Sequence, residues 1–297
     1  MSHPFHIMQC KHMNGYDWLK QELKELFNMG AKVTCVGRSV LGRKVYAVEI
    51  GTGPCVLLQY GIHAREHVTT TLAVLHAKML IEQKPTGISY VLIPMANPDG
   101  TELALFGTRT CGKFAAWLDN SFEKESFPLW KANVRGVDLN NNFDAKFGCH
   151  SCASVPGPHG FCGPYPESEP ETKNLVRLAK RISPCLSISF HTKGEVVSFD
   201  FFQSHRNRIR DKKIAQLFAQ DFGYAIKSTQ EVSSGGFKDW CVATLGIPSL
   251  TVELASDTLS HPIPSEYAKV LFEKTKNLHE LCKKAIKILQ SENKDAT

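Results

Sequence analysis

The chain has 297 residues, 42% of them hydrophobic and 22% charged, which excludes a wholly disordered polymer and is ordinary for a globular protein. Its formal charge of +6 is mildly basic and favours an acidic substrate; the densest basic group, Arg206, Arg208, Arg210, Lys212 and Lys213, is interrupted by Asp211 and reads as a solvated helix face rather than a nucleic-acid contact. No run reaches the roughly 18 apolar residues of a membrane span, and the opening MSHPFHIMQCKHMNG lacks the apolar centre of a signal peptide. The expectation is a cytoplasmic protein, with secretion or release by lysis as alternatives, no nucleic-acid partner and no membrane insertion.

In chain order, Tyr16 to Met29 carries Trp18, Leu19, Leu23, Leu26 and Phe27 at helical spacing, with Gly30 as a stop. This N-terminal helical segment, residues 1–30, is expected to pack on a single domain spanning 1–297. Two strand-like runs follow, Lys32–Val36 and Lys44–Ile50. A third run, Cys55–Tyr60, is nearly all apolar, as expected of a strand buried on both faces. His67–Glu82 reads as a helix and Tyr90–Met95 as another buried strand, ending in Asn97-Pro98-Asp99-Gly100, a turn signal.

Gly100 to Ser168 is irregular and rich in Gly, Pro, Asn and aromatics, the kind of long segment that usually serves function. Glu169–Ile182 reads as a helix, Cys185–Phe190 as a strand running into His191, and Lys212–Phe222 as a helix. Ile247–Val252 reads as a strand running into Glu253, and Tyr267–Leu289 as one or two closing helices. Alternating strands and helices predict an α/β fold: a mixed, largely parallel twisted sheet with helices on both faces. Sites in such sheets lie at the carboxyl ends of strands, where His63/Glu66, His191 and Glu253 all fall.

Ten cysteines scattered through a large chain without an export signal are expected to be free thiols. Cys149, Cys152 and Cys162, with His150 and His159 between them, leave two alternatives open, a small structural metal loop or one disulfide.

His63 and Glu66 are three apart, which at a helix start puts an imidazole and a carboxylate on one face. With His191 as third ligand they would form a catalytic Zn²⁺ site, two His, one Glu and an open water position. Glu253 could act as the general base beside that water. Taken alone, the His-x-x-Glu spacing also fits a solvated helix start, and His191 a satisfied core histidine. His67 is expected to begin the helix without touching metal.

Six motifs in order decide between these readings: Gly61-Ile-His-Ala-Arg-Glu66, Asn97-Pro-Asp-Gly100, Gly136-Val-Asp-Leu-Asn140, Ser189-Phe-His191, Gly235-Gly-Phe-Lys-Asp-Trp240 and Thr251-Val-Glu-Leu254. Over about residues 40–285 the chain resembles the zinc carboxypeptidases of the carboxypeptidase A superfamily, peptidase family M14. The resemblance implies one Zn²⁺ held by His63, Glu66 and His191, with Glu253 as general base and acid. It also implies Asp138 behind His63 and a substrate contact from Arg65.

Departures from the digestive enzymes narrow the activity. Asn140-Asn141 stands where they have Asn-Arg, and Asn cannot grip a terminal carboxylate bidentately. The family's tyrosine before the Gly-Gly pair falls near Glu231. The oxyanion arginine is replaced by Lys131, with Arg135 close by. Three stretches, Trp130-Lys-Ala-Asn133 with Arg135-Gly-Val-Asp-Leu-Asn-Asn-Asn-Phe143, His191-Thr-Lys-Gly-Glu195 and Ser233-Ser-Gly-Gly-Phe-Lys-Asp-Trp240, resemble the bacterial γ-D-glutamyl-diamino acid peptidases, which cut peptidoglycan stem peptides. The implied partner is a peptide, a muropeptide, contacted by Arg65, Asn140, Asn141, Lys193 and Lys238, with Glu195 or Glu231 meeting an ammonium. The alternatives are a metallocarboxypeptidase or deglutamylase acting on acidic C-terminal residues, and a non-catalytic zinc-containing protein that binds cell-wall peptide.

Overall fold

A computed structural model describes residues 14–150, 152–229 and 233–294. The first thirteen residues, and with them part of the expected N-terminal segment, lie outside the described residues.

Eight strands form one sheet: β1 (Lys32–Arg38), β2 (Lys44–Thr52), β3 (Cys55–Gln59), β4 (Ile88–Ile93), β5 (Leu186–Thr192), β6 (Val196–Ser198), β7 (Ala225–Lys227) and β8 (Ser249–Leu254). Their order is β1-β2-β4-β3-β5-β8-β6-β7. The centre, β4-β3-β5-β8, is parallel, while β1, β2 and β6 join it through antiparallel pairs. All seven residues of β5 are buried, as a central strand covered on both faces requires.

The helices are α1 (Tyr16–Asn28), α2 (Val68–Gln83), α3 (Pro98–Phe106), α4 (Ala115–Ser121), α5 (Pro170–Ile182), α6 (His205–Phe222), α7 (Phe237–Trp240), α8 (Ala268–Thr275) and α9 (Leu278–Lys294). One core lies between the sheet and α1, α2, α6, α8 and α9 and includes Leu26, Leu58, Leu72, Phe190, Phe218 and Leu278. A second lies on the other face under α5 and α7, with Leu57, Phe143, Leu175 and Trp240. A third cluster around Trp130, Leu103 and Leu118 fills the space under α3 and α4. Helices on both faces of a mostly parallel sheet meet the sequence expectation.

Several boundaries differ. The segment after Gly100 is not wholly irregular. Asn97-Pro98-Asp99-Gly100 starts α3 rather than making a turn, because the Asn97 side chain accepts from the Gly100 N–H (3.0 Å) and Pro98 occupies the first turn. α6 begins at His205, capped by Ser204, well before Lys212; its basic first turn carries no apolar periodicity. The strands β6 and β7 have three residues each, too few to show alternation. In α1, Leu19, Leu23 and Leu26 face the core, but Phe27 is 63% exposed.

The cysteine expectation is also corrected. Cys152 and Cys162 form a disulfide, closing the Gly/Pro-rich loop on itself. That pairing uses two of the thiols a metal loop would need, and Cys149 is left as a free, exposed thiol.

Candidate metal centre and active site

The chain leaves β3 through Gly61, whose φ of +59° and close neighbour Thr70 Oγ1, 2.8 Å from where a Cβ would stand, leave no room for a side chain. It then makes a single 3₁₀ turn, Ala64–Glu66, before α2. His63 precedes this turn and Glu66 ends it, so the two do not share the face of a regular helix. The turn is fixed by backbone bonds from Ala64 N–H to Lys131 O (3.0 Å) and from Arg65 N–H to Trp130 O (2.8 Å). Those two bonds bring Lys131 to the site although it is remote from the turn in sequence.

His191 lies inside β5 and Glu253 inside β8, one beside the other in register. Paired residues on neighbouring strands project to the same face. His63 Nδ1 lies 2.8 Å from Glu66 Oε1 and 3.1 Å from His191 Nδ1, and His191 Nδ1 lies 3.2 Å from Glu66 Oε2. All three residues are buried.

These separations approach the edge of about 3.3 Å expected when ligands sit about 2.0–2.1 Å from a tetrahedral Zn²⁺. Two imidazole nitrogens facing each other across a carboxylate need a proton or a cation between them, so the donor set fits the metal. Among the described residues, this is the group of His, Cys, Asp or Glu side chains placed to hold one. Thr192 N–H donates to Glu66 Oε2 (3.2 Å) and orients the carboxylate.

Behind His63, Asp138 Oδ1 lies 3.4 Å from Nε2. Its Oδ2 accepts from the Gly160 N–H (3.1 Å) and faces Lys131 Nζ (3.6 Å). Burial opposes the charge on Asp138, but Lys131 and His63 outweigh it and hold the carboxyl far below the usual range. Burial likewise opposes charge on Glu66, and His63 and His191 hold it low. Glu253 goes the other way. Burial raises its pKa and the Glu66 charge adds to this, while His191, His63 and Lys131 pull against it.

The remaining candidates separate into those at the centre and those tied elsewhere. Arg135 is largely solvent-facing and pairs with Glu169 (3.4 Å), whereas Lys131 acts on His63, Asp138 and Glu253. Asn140 Oδ1 accepts from Phe237 N–H (3.0 Å). Asn141 presses its backbone on Gly235, where a Cβ would lie 2.3 Å from Asn141 O; the Gly-Gly motif thereby seats α7 on the Asn pair. Lys238 is buried, its ammonium donating to Asp200 O (2.7 Å) and Thr229 Oγ1 (3.2 Å) and pairing with Asp239 (2.5 Å). Lys193 donates to the Asp257 carbonyl. Glu195 pairs with Lys274 and is not free to meet a substrate ammonium. Glu231 lies outside the described residues.

His67 caps the start of α2 and lies 3.3 Å from Ser265 Oγ; burial lowers its pKa to about 4. It takes no part in the donor set, as expected. Sequence reasoning missed His261, which lies within electrostatic reach of His63, Arg65, Glu66 and Lys193. No local motif marks it, because a long loop returns it to the site.

Comparison with known proteins agrees with this geometry. The family described as zinc carboxypeptidase matches residues 16–285. The γ-D-glutamyl-L-diamino acid endopeptidase 1 of Lysinibacillus sphaericus is 30% identical over 262 residues, covering 81% of this chain; the chain spans 64% of that relative's length. Among solved structures, carboxypeptidase A from Helicoverpa armigera superposes with a TM-score of 0.73 at 22% identity, covering 91% of this chain and 73% of that one. The murein-tripeptide amidase MpaA from Escherichia coli O157 superposes with a TM-score of 0.56 at 23% identity, covering 84% and 93%. A match across nearly the whole chain, joined to a His-Glu-His donor set with a glutamate on the neighbouring strand, makes this protein a member of the zinc carboxypeptidase family.

Proposed function

We propose that the protein is a zinc-dependent metallopeptidase that hydrolyses the γ-D-glutamyl–diamino acid bond, to diaminopimelate or Lys, of peptidoglycan stem peptides. The observation that carries hydrolysis is Glu253 standing in register with His191 beside a donor set that fits one Zn²⁺. A binding module needs no such base. When bound by His63, Glu66 and His191, zinc supplies a water of lowered pKa and a Lewis acid for the scissile carbonyl.

The chain's own residues do the rest. Asp138 faces His63 Nε2 (3.4 Å), a contact that would fix the ring and leave Nδ1 free to hold the metal. Glu253 takes a proton from the attacking water and returns it to the leaving nitrogen; its raised pKa suits a group that must hold a proton between the two steps. Lys131, tethered to the metal-binding turn, stabilises the charge that develops on the carbonyl oxygen. Arg135 is the weaker candidate for that task, because Glu169 already engages it.

The substrate reading draws on the likeness to the Lysinibacillus enzyme and on the chain's departures from an Asn-Arg carboxylate grip. Asn140, Asn141 and Arg65 are the peptide contacts of this reading. Lys238 holds the family position that lines the specificity pocket, where a cation suits a carboxylate of the leaving residue; its ammonium also pairs with Asp239 and donates to Asp200 O and Thr229 Oγ1. The same lysine favours a second reading, removal of acidic C-terminal residues. A disulfide is uncommon in reducing compartments, so Cys152–Cys162 favours the exported alternative over a cytoplasmic one.

The test is cleavage of L-Ala-γ-D-Glu-meso-diaminopimelate, followed by mass spectrometry with and without a chelator. Chelator-sensitive release of diaminopimelate is expected. Cleavage of α-linked acidic peptides alone would replace the substrate reading with the carboxypeptidase one.

A further inference from the structure

The loop from Ala255 to Pro264 follows the strand that carries Glu253 and is pinned along its length. Ala255 O accepts from Gly194 N–H (2.9 Å), and Asp257 O accepts from Lys193 Nζ. Ile263 is buried in the main core, and Ser265 Oγ meets His67 Nδ1. These anchors hold His261 beside the metal-binding turn, where its Nδ1 is buried and has no hydrogen-bond partner. The Nε of Arg65 is buried and unpartnered as well. Among the described residues, neither Arg65 nor Lys193 has a carboxylate partner, whereas the other cation of the centre, Lys131, faces Asp138.

An imidazole with a free buried nitrogen thus lies within electrostatic reach of an unpaired guanidinium, Arg65, and of an ammonium held only by a neutral carbonyl, Lys193, close to His63 and Glu66. Leaving such donors unsatisfied costs free energy unless a ligand supplies the acceptor. The group is separate from Lys238, whose ammonium is enclosed by Asp200, Thr229 and Asp239. Basic groups beside the metal-binding turn, distinct from the paired Lys238, fit a substrate with an anion close to the bond that is cut.

We propose that Arg65, Lys193 and His261 form a carboxylate subsite for the acyl side of the substrate, which takes the free α-carboxylate left by a γ-linked acidic residue. The proposal rests on the γ-glutamyl reading above. In an α-linked peptide that carboxyl is consumed in the chain, so this subsite is where the linkage is read. His261 acts as a hydrogen-bond donor and Arg65 and Lys193 as charges; none takes part in bond breaking.

The test compares kcat/KM for the γ-D-glutamyl tripeptide and for the same peptide with its α-carboxylate amidated. Two α-linked peptides, with Glu or Gln on the acyl side, are measured alongside. The wild type should prefer the free acid at least tenfold, and the ratio should fall towards one in Lys193→Met and His261→Ala with zinc content unchanged. Equal rates on acid and amide, or a preference that survives both substitutions, would overturn the subsite. If the γ-linked pair is not cut but the α-linked Glu peptide is preferred over Gln, the linkage reading falls and the carboxylate subsite stands. Cleavage of none of the four overturns both.

Discussion

Glu253 and Asp138 are both carboxylates beside the same imidazoles, and their surroundings push them in opposite directions. Asp138 is held ionised by Lys131 and His63, while Glu253 is drawn towards the protonated form by burial and by Glu66. Opposite tuning of neighbouring acids marks divided labour. Glu253→Gln should lower kcat by about 100-fold or more with zinc stoichiometry by mass spectrometry unchanged. Wild-type turnover in that variant would remove Glu253 from the mechanism. Asp138→Asn should weaken zinc binding by about 10- to 100-fold, measured by competition with a chelating dye; unaltered affinity would mean that the 3.4 Å contact to His63 does no orienting.

At the same scale, the candidate donor set His63, Glu66 and His191 was legible in the sequence because each residue ends or follows an apolar run. Lys131 could be named only through family likeness, since its place comes from two backbone bonds to residues 64 and 65. His261 carried no signal at all.

At the scale of elements, the junction of α5, α3 and the β1–β2 connection is built on buried charge. Glu171, in the first turn of α5, accepts from Val40 N–H (3.1 Å) and lies near Asp99, which pairs with Arg43 (2.7 Å). Burial first, then the Asp99 and Glu169 charges, raise Glu171 from 4.5 to about 8. A carboxyl with a raised folded-state pKa contributes stability that is complete below its unfolded value and lost as pH rises through the folded one. Stability should therefore fall from about pH 4.5 to about pH 8, by up to about 1.4 kcal/mol per pH unit. Glu171→Gln should flatten that slope in thermal melts taken from pH 5 to 8; an unchanged slope would exclude this junction as its source.

The elements read well from sequence where an apolar run was nearly unbroken, as in β3 and β5. They read poorly where polar chemistry set the boundary. Asn97 capping α3 resembles a turn signal, and the basic start of α6 has no apolar stripe. Three-residue strands such as β6 are fixed by their neighbours rather than by their own residues.

For the whole molecule, the centre joins segments from every part of the chain: the turn after β3, the Trp130–Asp138 loop, β5 and β8. A ligand that binds only the assembled centre stabilises the fold by mass action. Zinc at a thousandfold over its Kd should add about 4 kcal/mol to unfolding, seen as a higher Tm on titrating metal into chelator-treated protein. A Tm indifferent to zinc would show that the four segments hold their places without it.

The Cys152–Cys162 ring reaches this centre directly. Its residues Pro158, Gly160 and Phe161 supply the backbone partners of Lys131, Ala132 and Asp138. A dithiol added during purification would act on the protein twice, sequestering the ion and opening the ring whose Gly160 and Phe161 seat Asp138. Inactivation by such a reagent is therefore not a metal assay for this protein. Assigning the loss requires a carboxylate chelator and a non-chelating reductant applied separately, each followed by adding zinc back.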